Sequence, residues 1–247
     1  MSTKITALVT GANKGIGLAV ARQLGERGFA VWLGCRDHER GESAAAQLRD
    51  AGIDARAVIL DVADGESVRR AAANIASAVM ALDVLVNNAG INLGAPGKVS
   101  EESVDGIRAL FEVNAFGAVR VTQAFLPLLR KSAAGRIVMM SSGLASIAAT
   151  RDMTSENWGV PYAGYSASKT ALNMFTVKFA KELLADGIKV NAVDPGLTAT
   201  DLNGHMGDRT VDAAASIAVQ LATIGPMGPT GGFFHDGSGT PFAAHAW

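Results

Sequence analysis

The sequence predicts an α/β domain built on an open, doubly wound parallel sheet with helices on both faces. Three observations carry that expectation. Short apolar runs alternate with longer helical patterns from end to end. Several of these runs are continuously apolar rather than alternating, as strands are when helices cover both faces of a parallel sheet. The first run opens into a glycine-rich turn, Thr10-Gly11-Ala12-Asn13-Lys14-Gly15-Ile16-Gly17, just before a helical pattern begins. A closed eightfold barrel has similar length and alternation, and the first turn decides for the open sheet.

The first strand is read over 5–10, Ile5-Thr6-Ala7-Leu8-Val9-Thr10, and the first helix over 15–27. A second strand, Ala30-Val31-Trp32-Leu33-Gly34-Cys35, leads to a helix over 39–51, for which Asp37 is read as the cap. The third strand covers 56–60 and its helix 65–78; the fourth strand is Val84-Leu85-Val86-Asn87, followed by one long helix over 104–130. A fifth strand over 135–140 precedes the helix 164–185, a sixth over 189–193 precedes the helix 209–223, and a seventh is read over 232–234. With about seven strands and no segment that reads as a linker, residues 1–247 are expected to form one domain, since single α/β domains often reach about 200–250 residues.

Composition narrows the function. Hydrophobic residues make up 49% and charged residues 18%, with 28 glycines, which suits a large core with many tight turns and excludes a disordered or collagen-like chain. The 22 Lys+Arg against 23 Asp+Glu leave a net charge of −1, and no basic stripe could neutralise the phosphates of a duplex, so no nucleic-acid partner is expected. Cys35 is the single cysteine, which rules out an intramolecular disulfide and a cysteine cluster for zinc, and no metal site is read. The start, Met1-Ser2-Thr3-Lys4-Ile5-Thr6, shows no signal-like apolar region, and even 71–82 is broken by Asn74 and Ser77, short of the ~20 apolar residues that span a bilayer. A cytoplasmic location without membrane contact is the expectation.

Two patterns carry chemistry. In the glycine turn, the order Gly11-x-x-x-Gly15-x-Gly17 permits positive φ, close backbone approach to a pyrophosphate and tight packing of the helix over the strand, with the helix amino end facing the phosphates. It lacks the Lys-Ser/Thr ending of a nucleotide-hydrolysing loop. The second pattern is Gly164-Tyr165-Ser166-Ala167-Ser168-Lys169, where helical i,i+4 spacing puts Tyr165 and Lys169 on one face. A phenol titrates near pH 10, but a fixed cation within ~4–6 Å favours its ionised form and makes it a usable proton donor. Tyr162 has Ser166 four positions on and so lacks such a lysine.

The set Thr10-Gly11-x-x-x-Gly15-x-Gly17, Asn87-Asn88-Ala89-Gly90, Asn114, Ser142, Tyr165-x-x-x-Lys169 and Pro195-Gly196 resembles the short-chain dehydrogenase/reductase family, in family order over 4–201. Within that family the pair Asn13-Lys14, the pair Arg36-Asp37 and the tail Gly228-Pro229-Thr230-Gly231-Gly232-Phe233-Phe234-x-Asp236-Gly237 look like the NADPH-dependent carbonyl reductases. The resemblance implies a Rossmann-type fold and reduction of a ketone or aldehyde to an alcohol. It makes Tyr165 the general acid and has Lys169 hold the nicotinamide ribose and lower the phenol's pKa. It has Ser142 donate to the substrate oxygen and Asn114 hold a water linking Lys169 to solvent. Ser141 competes with Ser142, which is the second of the pair and occupies the family position.

The same resemblance assigns Gly11, Asn13, Lys14, Gly15, Ile16 and Gly17 to the dinucleotide, and Asp61 with Val62 to the adenine. Asn87 and Gly90 would line the ribose and nicotinamide side. Asn88 and Ala89 are read as structural. Pro195, Gly196, Thr198 and Thr200 fall in a segment, 195–212, expected to close over the nicotinamide and pyrophosphate. Cys35 stands where NAD-selective relatives carry Asp, and Arg36 with Lys14 would meet a 2′-phosphate, so NADPH (NADP+) is the expected cofactor. The connection 143–164 is longer than in compact relatives and is read as a substrate loop, in which Met153, Trp158 and Tyr162 either wall a pocket or pack against the scaffold. Family members commonly pair the helices read at 104–130 and 164–185 across subunits, so a homo-oligomer, dimer or tetramer, is expected. Three alternatives stand beside carbonyl reduction: a non-catalytic NADP(H)-binding redox sensor, an NAD-dependent alcohol dehydrogenase working oxidatively, and sugar-nucleotide epimerase or dehydratase chemistry. The chain leaves too little after Pro195 for the separate domain that the last of these uses.

Overall fold

The apolar runs become strands buried on both sides. In a computed structural model that describes residues 4–93, 97–237 and 240–247, with backbone alone at 237, 240 and 241, the chain forms one eight-stranded sheet. Residues 1–3, part of the start read as free of a signal segment, lie outside the described residues. The elements run β1 (Thr6–Thr10), α1 (Gly15–Glu26), β2 (Ala30–Cys35), α2 (His38–Asp50), β3 (Ala55–Ile59), α3 (Gly65–Ala78) and β4 (Val84–Asn87). They continue as α4 (Val104–Phe111), α5 (Ala118–Leu129), β5 (Arg136–Met140), α6 (Ile147–Arg151), α7 (Ala163–Glu182), β6 (Lys189–Val193), α8 (Val211–Ala222), β7 (Phe233–Gly237) and β8 (Thr240–Ala244).

The order across the sheet is β3-β2-β1-β4-β5-β6-β7-β8, parallel throughout except for β8. Successive residues of β1 alternate between two cores. Ala7 and Val9 pack with Leu24 of α1, Leu48 of α2 and Leu221 of α8, while Leu8 packs with Ile75 of α3, Phe125 of α5 and Leu172 of α7. Each face therefore has its own helical layer, the physical reason that the strands read as continuous apolar runs. Strand order reverses between β1 and β4, and a crevice opens beyond the carboxyl ends of the strands at such a point.

Three differences from the sequence reading matter. An eighth strand, β8, pairs antiparallel with β7 and extends the sheet beyond the seven expected strands. The single helix expected over 104–130 is interrupted: Glu112–Gly117 forms a π-helical segment between α4 and α5. The connection 143–164 carries the 3-10 turn Gly143–Ala145 and the short helix α6. Asp37 does cap α2, accepting from Arg40 N at 3.0 Å.

Candidate active site

The glycine turn forms because its residues can do what others cannot. Gly11 and Gly15 have φ of +64° and +58°, and a Cβ on Gly17 would stand 2.5 Å from both Gly11 O and Asn88 Nδ2. Lys14 at the amino end of α1 supplies no side-chain cap, so the first N–H groups of the helix face the crevice without a side-chain acceptor from it. The end of β4 is tied to this turn. Asn88 Nδ2 donates to Thr10 O at 2.9 Å and Gly11 O at 3.2 Å, and the N–H groups of Asn88 and Ala89 both donate to Thr10 Oγ1 at 3.0 Å.

The crevice is a cleft of about 670 Å³ running from the glycine turn to Tyr165 and Lys169. At its inner end α7 turns both residues inward, as the i,i+4 spacing predicts, with relative exposures of 9% and 3%. Lys169 Nζ donates to Met140 O at 2.7 Å and lies 5.8 Å from the centre of the Tyr165 ring. A Cβ on Gly90 would stand 3.5 Å from Lys169 Nζ and 3.3 Å from Asn114 Oδ1, so an added side chain would take up the space beside both groups. Burial lowers the Lys169 ammonium to about 8.

The expected lowering of the Tyr165 phenol is not found. Burial, the largest cause, pushes it up to about 12; a hydrogen bond with Ser142 opposes the rise and the Asp194 charge reinforces it. The lysine does not reverse this, because its ammonium is itself desolvated and directed at the Met140 carbonyl. A phenol in this state is protonated throughout the neutral range, which suits a proton donor.

The two serines separate cleanly. Ser141 Oγ donates to Asn173 Oδ1 at 2.6 Å, although Ser141 is the one that borders the cleft; the half-buried Ser142 lies outside its lining, caps the following 3-10 turn and hydrogen-bonds Tyr165. Asn114 departs from its expected use. Its Oδ1 accepts from Ile91 N at 2.8 Å, and its Nδ2 donates to Ile91 O at 2.9 Å and meets Ser168 Oγ at 3.1 Å, so the side chain is committed to protein partners. It sits in the π segment, where the backbone departs from the regular i,i+4 ladder.

At the outer end, Arg36 is exposed and borders the cleft with Asn13, Lys14 and Ile16. Lys14 is not free as the sequence suggests: its ammonium bonds to Asp201, which also meets His205 Nε2 at 2.8 Å. Asp61 and Val62 border the cleft, and Asp61 accepts from Ala63 N at 2.9 Å rather than capping α3, a task taken by Asp64. Pro195 and Thr200 border it as well.

Other expected residues turn away from the cleft. Asn87 points into the core toward Thr122 Oγ1 (3.0 Å) and Met139 Sδ, because two residues after Leu85 its side chain falls on the face covered by α5; Asn88 and Ala89, read as structural only, border the cleft instead. Thr198 is buried, its hydroxyl bonded to Pro195 O and Gly196 O, and Gly196 is turned out with φ of +72°. Met153 and Trp158 are exposed at 73% and 54% and border neither the cleft nor the core. Asp201 and His205 carried no motif by which sequence reading could find them. Among the described residues no group of three or more His, Cys, Asp or Glu could hold a metal ion, and no helix is long and apolar enough to cross a membrane.

The short chain dehydrogenase family model matches residues 5–210. The chain belongs to the short-chain dehydrogenases. A short-chain dehydrogenase of Penicillium roqueforti is 36% identical over 232 residues, covering 90% of each chain. Human retinol dehydrogenase 13 is 38% identical over 208 residues, which are 82% of this chain and 61% of that protein. Among solved structures, a carbonyl reductase from chicken fatty liver with NADPH bound superposes with a TM-score of 0.84 at 28% identity, covering 99% of this chain and all of that one. As a short-chain dehydrogenase the protein is an oxidoreductase.

Proposed function

We propose that this short-chain dehydrogenase reduces the carbonyl of a small ketone or aldehyde to an alcohol with NADPH. The observation that carries the reading is the pairing of Tyr165 and Lys169 at the inner end of a cleft whose outer end presents Arg36 and Lys14, with Ser142 hydrogen-bonded to Tyr165 beside it. The chain's groups fit the cofactor: the glycine turn leaves room and N–H donors for a pyrophosphate, and Gly90 leaves room beside Lys169 for a ribose. Bound there, the nicotinamide would supply the hydride. Tyr165 gives its proton to the carbonyl oxygen, and burial keeps that proton in place until it is needed. Ser142 donates to the same oxygen as charge develops on it. Lys169 holds the ribose hydroxyls, and a carbonyl of the π segment at Asn114 orders the water that returns a proton toward it. Asn13, Gly11, Gly15, Gly17 and Ile16 hold the phosphates, Asp61 and Val62 the adenine, and Pro195 and Thr200 the amide end.

Arg36 supplies the charge that selects a 2′-phosphate, and Cys35 offers no carboxylate to a free ribose hydroxyl. The segment 195–212 acts as a lid and 143–164 as the substrate loop of one domain. Exposed Phe116 and Met174, on the helices expected at a subunit contact, favour a homo-oligomer, and the single buried Cys35 suits the cytoplasm. The test is a panel of ketones and aldehydes with NADPH oxidation followed by absorbance, repeated with NADH. Turnover with NADPH well above NADH is the expected result. NADPH binding without oxidation across the panel overturns the catalytic reading in favour of a redox sensor.

A further inference from the structure

The carboxyl-terminal strand brings one titratable group to the active site that no motif of the cleft includes. His245, just after β8, lies with Nε2 3.6 Å from Asp194 Oδ2, and the two side chains are only 18% and 16% exposed. Its imidazole is held flat on Phe233, ring centres 4.6 Å apart at 8°, with His235 at its edge, 5.1 Å away. Trp247 also packs near Phe233, and its carbonyl accepts from Ala148 N at 3.0 Å, which fastens this terminus to α6.

Asp194 is a junction. It follows β6, where its carboxylate accepts from Gly196 N at 3.0 Å at the root of the 195–212 segment. It also accepts from Gly143 N, the residue after Ser142, and a Cβ on Gly143 would stand 2.9 Å from Asp194 Oδ2 and 3.6 Å from His245 Nε2. One carboxylate thus joins the serine turn, the segment over the cleft and the carboxyl-terminal strand. Burial opposes its ionisation, yet His245 and the two backbone donors outweigh this and hold its pKa below the usual carboxylate value.

We propose that Asp194 and His245 are a positioning pair of this active site, in which His245 steers the Asp194 carboxylate so that it fixes the Ser142-Gly143 turn against Tyr165. The inference rests on the reading of Tyr165 and Ser142 as the reacting side chains. Both donors bound by Asp194 are backbone groups of segments that touch the reacting region. Of the polar groups that face the phenol, Asp194 opposes loss of the Tyr165 proton, the hydrogen bond with Ser142 favours it, and Lys169 lies 5.8 Å from the ring centre. The pair therefore favours the protonated phenol that carbonyl reduction requires. The family match ends at residue 210, so His245 lies outside the segment it covers.

The experiment uses Asp194→Ala, Asp194→Asn and His245→Phe in the full chain. His245→Phe keeps the stack on Phe233 but leaves Asp194 without its side-chain partner. Asp194→Asn keeps an acceptor for the Gly143 and Gly196 N–H groups but removes the charge. Asp194→Ala and His245→Phe are expected to lower kcat roughly tenfold or more, as misplacement of a reacting group does, with KM for NADPH within about twofold. Asp194→Asn should recover most of that kcat. A second readout needs no turnover: the chain has two tyrosines, so in a Tyr162→Phe background phenolate absorbance reports Tyr165 alone. There Asp194→Asn should move the onset of phenolate absorbance to lower pH. Unchanged kcat in both Asp194→Ala and His245→Phe overturns the proposal, as does a phenolate onset that ignores Asp194→Asn. If the unmodified protein binds NADPH but oxidises it against no carbonyl of the panel, the functional reading fails by itself, while the phenolate titration still decides whether Asp194 acts on Tyr165.

Discussion

The two ends of the cleft use cations in opposite ways. Lys169 is 3% exposed, desolvated and fixed on a carbonyl; Lys14 and its partner Asp201 have side chains more than half exposed, and Arg36 lies open to solvent. A charge in the interior is screened little and reshapes its own titration, whereas one at the surface is screened within about 10 Å at moderate salt. In the proposed function, chemistry belongs to the first end and cofactor choice to the second. Substitutions should separate them in the same way, with rate lost at the buried end and affinity for one cofactor lost at the exposed end.

The largest expected effect is that of Tyr165→Phe, which keeps the ring and removes the proton: kcat should fall roughly 10²-fold or more while NADPH binding, measured by fluorescence titration, survives. A variant with near-normal kcat would move the acid elsewhere and erase the contrast. The serine pair sharpens it. Ser142→Ala should raise the barrier by about 3–4 kcal/mol, read in kcat. Ser141→Ala should instead lower Tm, because it leaves Asn173 Oδ1 buried without its donor at a cost of about 1–3 kcal/mol. Equal small losses of kcat in both would remove Ser142 from its role.

At the exposed end, Arg36→Leu should raise KM for NADPH roughly ten- to a hundredfold more than KM for NADH, the worth of about 1.5–3 kcal/mol for a charge-assisted contact. Equal changes for both cofactors would make Arg36 a surface cation only. The smallest effect is a pH dependence at the buried end. Lys169 is held down to about 8 by burial, so its ammonium is present below that pH and lost above it. If the charge is needed, kcat/KM for reduction should decline as pH rises through about 8, while the phenol, up near 12, contributes no limb in that range. A flat profile from pH 7 to roughly 9.5 would separate the lysine charge from the reaction.

Much of this was legible in the sequence, for reasons that differ by residue. Tyr165 and Lys169 are one helical turn apart, so local periodicity places them together. The glycine turn announces its positive φ by residue type. Asn87 and Asn88 show where legibility stops: identical neighbours at a strand end point to opposite faces, and sequence does not give the phase of the strand. Asp201 and His245 meet Lys14 and Asp194 across long stretches of chain, so only the folded sheet brings them together. The strand β8 was missed because Thr240-Pro241-Phe242-Ala243-Ala244 contains a proline and small residues; as an edge strand it tolerates both.

The π segment Glu112–Gly117 has a consequence for how this gene product can change length. A π turn accommodates one residue more than an α turn, so α4 and α5 are out of phase by about 100°, the rotation of a single residue at 3.6 per turn. That offset is what allows Asn114 to sit against Ile91 and Ser168 while Val121 and Phe125 still enter the core. Deleting one residue between 112 and 117 would restore a regular helix with both halves still in phase with the core, and would move only the stretch that holds Asn114. Thus the loss of one residue costs the packing less here than elsewhere in α4 or α5, where it would turn everything beyond it by about 100°, and what it costs is the hold of Asn114 on Ile91 and Ser168.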